Sequence, residues 1–211
     1  MSRIVQLKAK DDSIKEAERL LSNIPGGVEK AAMRSINDAL AVGKTAVSTG
    51  IRQHYTVKAS TIKETVRITK ASQTRLEGGI ESRGSALSLR HFRHSPTGVS
   101  TTGGDRKQVR VSVSKGRGVK FKTGFLWNGG WGSEKHSIYV RTGEKRQASK
   151  GYHAGKKYKV EALKKATGPS VPQMAGNDDV RDFVQDRIES TLGSRMKHHT
   201  SRLLEKEVKK K

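Results

Sequence analysis

The sequence predicts an α+β fold in which a long N-terminal helix and a C-terminal helix pack on a central antiparallel, basic β-sheet with long loops. Three observations predict it. Apolar residues recur at three- and four-residue steps towards both ends, they alternate with basic residues in the middle, and the charge is partitioned in the same way. Splitting the 211 residues before Thr65 and after Gly176 leaves 11 basic and 7 acidic residues in the first part, 23 and 6 in the middle, and 9 and 7 in the last. The middle therefore carries +17 of a formal +23, and 17 of the 22 glycines. A single domain over 1–211 is the economical solution, with a helical part over 12–64, a basic glycine-rich β part over 65–176 and a terminal helix over 177–211.

The first element is a short helix. Ser13-Ile14-Lys15-Glu16 has the spacing of a capping box, and Ile24-Pro25-Gly26-Gly27 supplies the stop. A long helix follows, because Val28, Ala32, Ile36, Ala39 or Leu40, Gly43, Val47, Ile51 and Tyr55 keep one face through about eight turns. Its stripe is rich in small residues (Ala31, Ala32, Ala39, Gly43, Ala46, Gly50), which admit another backbone closely although the glycines weaken the helix. Strands are expected where the period changes to two, at Thr65–Thr69, Val109–Val113 and Val119–Lys122, with the glycine turn Lys115-Gly116-Arg117-Gly118 making a hairpin of Gln108 to Phe125. Leu87–Arg90 and Ser137–Arg141 are further strand candidates, and Arg93–Lys107 and Gly143–Lys157 are expected as long loops. Gly168-Pro169-Ser170-Val171-Pro172 is a rigid connector that sets the angle of the terminal helix. That helix has Val180, Phe183, Val184, Ile188, Leu192, Met196, His199, Leu203 and Val208 on roughly one face, and Asn177-Asp178-Asp179 offers a cap with a negative first turn.

Composition excludes several chemistries. The chain has no cysteine, which removes disulfides, a thiolate nucleophile and cysteine-ligated metals. The start has no apolar core of signal-peptide length, and no apolar run reaches the roughly 18 residues of a membrane span. His91 and His94 have a spacing that could bind metal on a helix, but they border a Ser/Gly-rich loop without a nearby carboxylate, so a solvated basic patch is preferred. His199 falls on the apolar face of the last helix, where packing explains it, and His198 beside it is expected to be exposed. Gly151–Lys156 has three residues between its glycines where a phosphate-binding loop needs four. Glu77, Glu81, Asp105, Glu134, Glu144 and Glu161 are scattered rather than paired, so no enzyme, metal or cofactor is expected.

The basic centre is the positive signal. Arg90, Arg93, Arg106, Lys107, Arg110, Lys115, Arg117, Lys120 and Lys122 are candidates for contact with DNA or with an acidic partner. No recognition helix accompanies them, so non-specific phosphate contact is expected rather than base readout. Trp127, Trp131, Phe183 and Met196 are candidate subunit contacts.

Four stretches carry a resemblance. They are the small-residue helix Gly27–Tyr55 with Ala31-Ala32-Met33-Arg34-Ser35-Ile36-Asn37, the turn Val57-Lys58-Ala59-Ser60-Thr61-Ile62-Lys63 into a basic strand, the hairpin ending Phe121-Lys122-Thr123-Gly124-Phe125-Leu126, and Val160–Met174 before a terminal helix. In this order the chain resembles the minor tail protein Z family of long-tailed bacteriophages, the lambda-type tail completion proteins. It departs from that pattern in an insertion near Pro96–Asp105 and in Trp127–Trp131. The resemblance implies a structural virion protein at the head-proximal end of the tail, made in the host cytoplasm. It would finish the tail, enable head-tail joining and bear on placement of the DNA end. It implies a homo-oligomeric ring, a hexamer by family analogy, with tail terminator and connector or head-completion proteins as partners, non-specific contact with genomic DNA, and no membrane. Charge alone supports an alternative, a non-specific nucleic-acid-binding protein.

Overall fold

The computed structural model describes residues 2–8, 11–98, 108–127, 136–147, 154–155 and 157–209. Its elements run β1 (Ser2–Lys8), α1 (Asp11–Leu21), α2 (Gly27–His54), α3 (Ala59–Thr65), β2 (Val66–Thr69), β3 (Glu77–Ser82), β4 (Arg93–Ser95), β5 (Val109–Ser112), β6 (Val119–Phe121), β7 (Gly124–Trp127), β8 (Ser137–Arg146), β9 (Val160–Lys165), α4 (Val171–Ala175) and α5 (Asp178–Val208). The fold is α+β and every strand pairing is antiparallel. In place of one central sheet, the described residues form three sheets of three strands, ordered β1-β3-β2, β4-β5-β6 and β7-β8-β9. The chain divides into two compact units, one of Met1–Gln53, Ala59–Ser85 and Ser170–Lys211, the other of His54–Lys58 and Ala86–Pro169.

The first unit is built around α2. Gly26, at φ +64°, turns the chain after Pro25, and its carbonyl accepts from the Lys30 N–H at 3.1 Å. The expected stripe is the buried one, including Ala32, Ile36, Ala39, Leu40, Gly43, Val47 and Ile51. Burying each of its large aliphatic side chains contributes about 1.5–3 kcal/mol. The small residues permit close packing on two sides. A Cβ at Gly43 would lie 2.7 Å from Ile80 Cδ1 of β3 and 2.6 Å from Ile188 Cδ1 of α5, so the helix lies between strand and helix. Towards the other end of α2, Gly50 faces Val180 and Phe183. Ser35 reaches the Met196 sulfur at 3.8 Å. Rising numbers on α5 meet falling numbers on α2, so the two helices run antiparallel. Asn37 holds the connection between β2 and β3, donating to the Ala71 carbonyl at 3.1 Å and accepting from the Ala71 N–H at 2.9 Å.

The buried residues of α5, Val180, Val184, Ile188, Leu192, Met196 and Thr200, advance in steps of four. Each step drifts about 40° round a helix of 3.6 residues per turn, so the buried line winds. Near Met196 it reaches α1, where Met196 packs with Ala17, Leu21, Ala31 and Ala32.

The second unit contains the sheets β4-β5-β6 and β7-β8-β9. Val109 and Val111 of the first sheet are buried, as are Leu126, Ile138 and Ala162 of the second, together with Val57, Leu89 and Phe92. The β5–β6 hairpin forms as expected, pairing Val109 with Phe121 and Val111 with Val119.

Several expectations are corrected. Ser13 lies inside α1, which begins at Asp11. Val119 is 60% exposed, since it sits at the turn end of an edge strand. Leu87–Arg90 is not a strand: Ser88 makes one bridge to Thr167 and Leu89–His91 forms a 3-10 turn. Arg93–Ser95 leaves the expected loop to become β4, a third strand on the hairpin. Likewise β8 runs through Gly143 to Arg146, because Gly143 at φ +80° accommodates an irregularity in register between Arg141 and Lys145. The remainder of both expected loops lies largely outside the described residues. The connector contains a capped helix, α4, in which Ser170 Oγ accepts from the Gln173 N–H while Gln173 Oε1 accepts from the Ser170 N–H. Asn177 occupies the cap position of α5, yet its side chain makes no capping bond. The sequence does not mark β1, β3 and β9 as strands: β3 contains Gly78-Gly79, and β9 alternates poorly.

Candidate functional site

The antiparallel ladder decides which basic residues meet. In β4-β5-β6 the register sets Ser95 opposite Arg110 and Arg110 opposite Lys120, while Arg93 stands opposite Ser112. Directly opposed residues share a face, and so do residues two apart on one strand. Arg93, Ser95, Arg110, Ser112 and Lys120 therefore form two rows on one face, and the other face takes Val109 and Val111 into the core. Arg93, Ser95, Arg110 and Lys120 are exposed. A cavity of about 390 Å3 opens here, lined by Arg93, His94, Ser95, Arg110, Ser112, Gly116 and Gly118.

The hairpin turn finishes the wall. Gly116 has φ +76°, a conformation that favours glycine. A Cβ at Gly118 would lie 2.8 Å from Arg110 Nε and 3.3 Å from Nη2, so the guanidinium rests against the turn backbone. Ser112 Oγ donates to the Arg117 carbonyl at 2.6 Å and closes the turn from within. Lys115 and Arg117 are exposed on the same turn, and the Lys115 N–H donates to the His54 carbonyl at 2.8 Å. Lys122 is exposed in the turn between β6 and β7. Among the described residues no carboxylate forms an ion pair with Arg93, Arg110, Lys115, Arg117, Lys120 or Lys122.

Arg90 sits elsewhere in the unit, half-buried in the 3-10 turn. It belongs with two histidines whose ring centroids are 5.7 Å apart, His94 and His136. Burial, then the charge of His94, then that of Arg90 hold the His136 imidazole below its ordinary 6.5. His94 Nδ1 is 2.8 Å from the Phe92 carbonyl, and its buried Nε2 has no hydrogen-bond partner among the described residues. Among the described residues no group of three or more His, Asp or Glu side chains could hold a metal ion.

One face of β7-β8-β9 gathers rings. Trp127 is 42% exposed and meets Tyr139 edge-on at 5.2 Å, Phe125 lies 6.5 Å from Tyr139, and the Arg141 guanidinium sits 5.2 Å over the Phe125 ring. Arg141 also pairs with Glu161 at 2.8 Å. Trp127 is thus a partly exposed ring within a packed aromatic-basic face. Phe183 is half-buried against Gly50. Met196 is 3% exposed inside its own unit's core, where its flexible side chain fills the space beside the alanines of α1 and α2. His199 packs as expected and donates through Nε2 to Asp38 Oδ2 at 3.0 Å, with Arg195 3.7 Å from the same carboxylate oxygen. Arg106, Lys107 and Trp131 lie outside the described residues.

Sequence reasoning missed Ser95, Ser112 and Gly118 as parts of the basic face. The hairpin register would have placed Ser112 and Gly118, but β4 hid among loop residues and Ser95 with it. His136 carried no local signal, since its neighbour His94 lies 42 residues away. Among the described residues, no helix is long and apolar enough to cross a membrane. The chain matches no protein-family model, no curated protein and no solved structure.

Proposed function

We propose that this chain is a structural tail completion protein of a long-tailed phage, seated in the virion at the head-proximal end of the tail. There it finishes the tail and readies it for joining to the filled head. The observation that carries the reading is the division of charge between the units. The second unit has 20 basic and 4 acidic residues, a net of +16, whereas the first has 23 and 16. A passage for a genome favours a surface that attracts phosphates and reads no bases, and the second unit supplies such a surface. The resemblance to the minor tail protein Z family supports the same role. It also suggests a ring of identical subunits, six by analogy, beside the terminator and connector.

The test is genetic and visual. Phage lacking the gene should accumulate filled heads and unjoined tails, and complementation should restore joined particles with added density at the neck. Joined, infectious, normally filled particles without the gene would overturn the reading and return the chain to a general nucleic-acid-binding role.

A further inference from the structure

We infer that the outer face of β4-β5-β6 is a binding site for the phosphodiester backbone of nucleic acid, holding neighbouring phosphates without reading sequence. The neck reading enters only in naming the virion genome as the source; the chemistry of the face stands by itself.

The rows set the spacing. Arg110 and Lys120 are cross-strand neighbours, with Cβ atoms about 5 Å apart. Arg93 belongs to the next row, two residues or about 7 Å along the strands. Cations at these intervals are on the scale of successive phosphates along a strand. Among the described residues the cavity between them is lined by two arginines, a histidine, two serines and two glycines, with no carboxylate and no aliphatic side chain. Like charges gathered without an anion repel each other, and a polyanion relieves that repulsion.

Gly118 adds preorganisation. Because the turn has no Cβ there, the Arg110 guanidinium lies along the backbone. A planar fork in this position suits bidentate contact with a phosphate, and Ser95 offers a hydroxyl in the same row. An acidic protein is the less fitting partner. The centre of a protein interface needs an apolar or aromatic anchor in a pocket, and this cavity has none, whereas nucleic-acid interfaces are polar and basic. Contacts made to phosphates carry no base information, so binding should be indifferent to sequence.

The experiment measures binding of the full chain to labelled duplexes of two unrelated sequences between about 50 and 200 mM salt. Both duplexes should bind equally. Replacing Arg93, Arg110 and Lys120 together by Ala should reduce the steepness of log K against log salt by about 2.7. A charge-matched control on α5, Lys197, Arg202 and Lys206 to Ala, should leave most of that slope. Gly118→Ala, which changes no charge, should weaken binding roughly threefold or more by moving the Arg110 guanidinium. Circular dichroism and melting of each variant separate a lost site from a lost fold. Equal slope loss in triple mutant and control would overturn the site, as would effective displacement of DNA by polyglutamate of matched charge, which would make an acidic protein the partner. The two proposals fail separately: DNA binding that depends on this face in a chain dispensable for phage assembly refutes only the neck reading, and the reverse outcome refutes only this site.

Discussion

Gly43 stands where three elements cross, and opposing effects there can be weighed. Alanine in place of a helical glycine gains about 1 kcal/mol of intrinsic stability. At Gly43 the new methyl would press on Ile80 from one side and Ile188 from the other, both within 2.7 Å. Overpacking costs about 1–3 kcal/mol, so Gly43→Ala should lower stability in denaturant titration, and Ile188→Val in addition should recover part of the loss. Gly193, in α5, has nothing within 4 Å of its virtual Cβ, so Gly193→Ala should raise stability by about 0.5–1 kcal/mol. His136 gives a pH dependence with a definite sign. Its folded pKa is depressed, so the unfolded chain binds the proton more readily; its stabilising contribution is complete above 6.5 and is lost as pH falls below that value. Melting curves from neutral to acid pH should therefore fall less steeply for His136→Asn than for the parent chain; identical slopes would remove the assignment.

At the scale of elements, the two caps before and after α4 make opposite predictions. Ser170→Ala breaks a reciprocal capping box and should cost about 1 kcal/mol. Asn177→Ala removes a side chain that makes no capping bond and leaves no donor stranded, so equilibrium unfolding should register a smaller loss. The long elements were legible in the sequence for a simple reason. In α2 the small and aliphatic residues satisfy one period over 28 residues, and no competing pattern fits. The β5–β6 hairpin was legible because a glycine turn joins two alternating runs. What escaped had weak local signals: β1 and β3 stabilise each other across 69 to 80 residues, β4 is three residues long, and Gly78-Gly79 reads as a breaker until Leu40 is seen 2.5 Å from where a Cβ at Gly78 would be. The candidate site was legible as charge but not as geometry. Arg93 and Arg110 stand out by composition, whereas their sharing of a face depends on register set by residues far apart in sequence.

For the whole molecule, a net +23 makes self-repulsion a standing cost of the folded state, concentrated where the second unit gathers 20 basic residues against 4 acidic ones. Salt shortens the reach of charge from about 10 Å at 0.1 M to about 3 Å at 1 M. The melting temperature should therefore rise between those concentrations in a chloride salt, and a fall would mean that half-buried pairs such as Arg141 with Glu161 outweigh the repulsion. The interleaving of the two units has a consequence in time. The chain passes from one unit to the other after Gln53, Lys58, Ser85 and Pro169, so everything the second unit needs has been synthesised before α4 and α5 begin. The first unit, although its sequence starts earlier, must wait: until the 31 residues of α5 arrive, one side of α2 has no cover for its alanines and glycines. During translation the basic unit can close first, and the unit that begins the chain is the last to be completed.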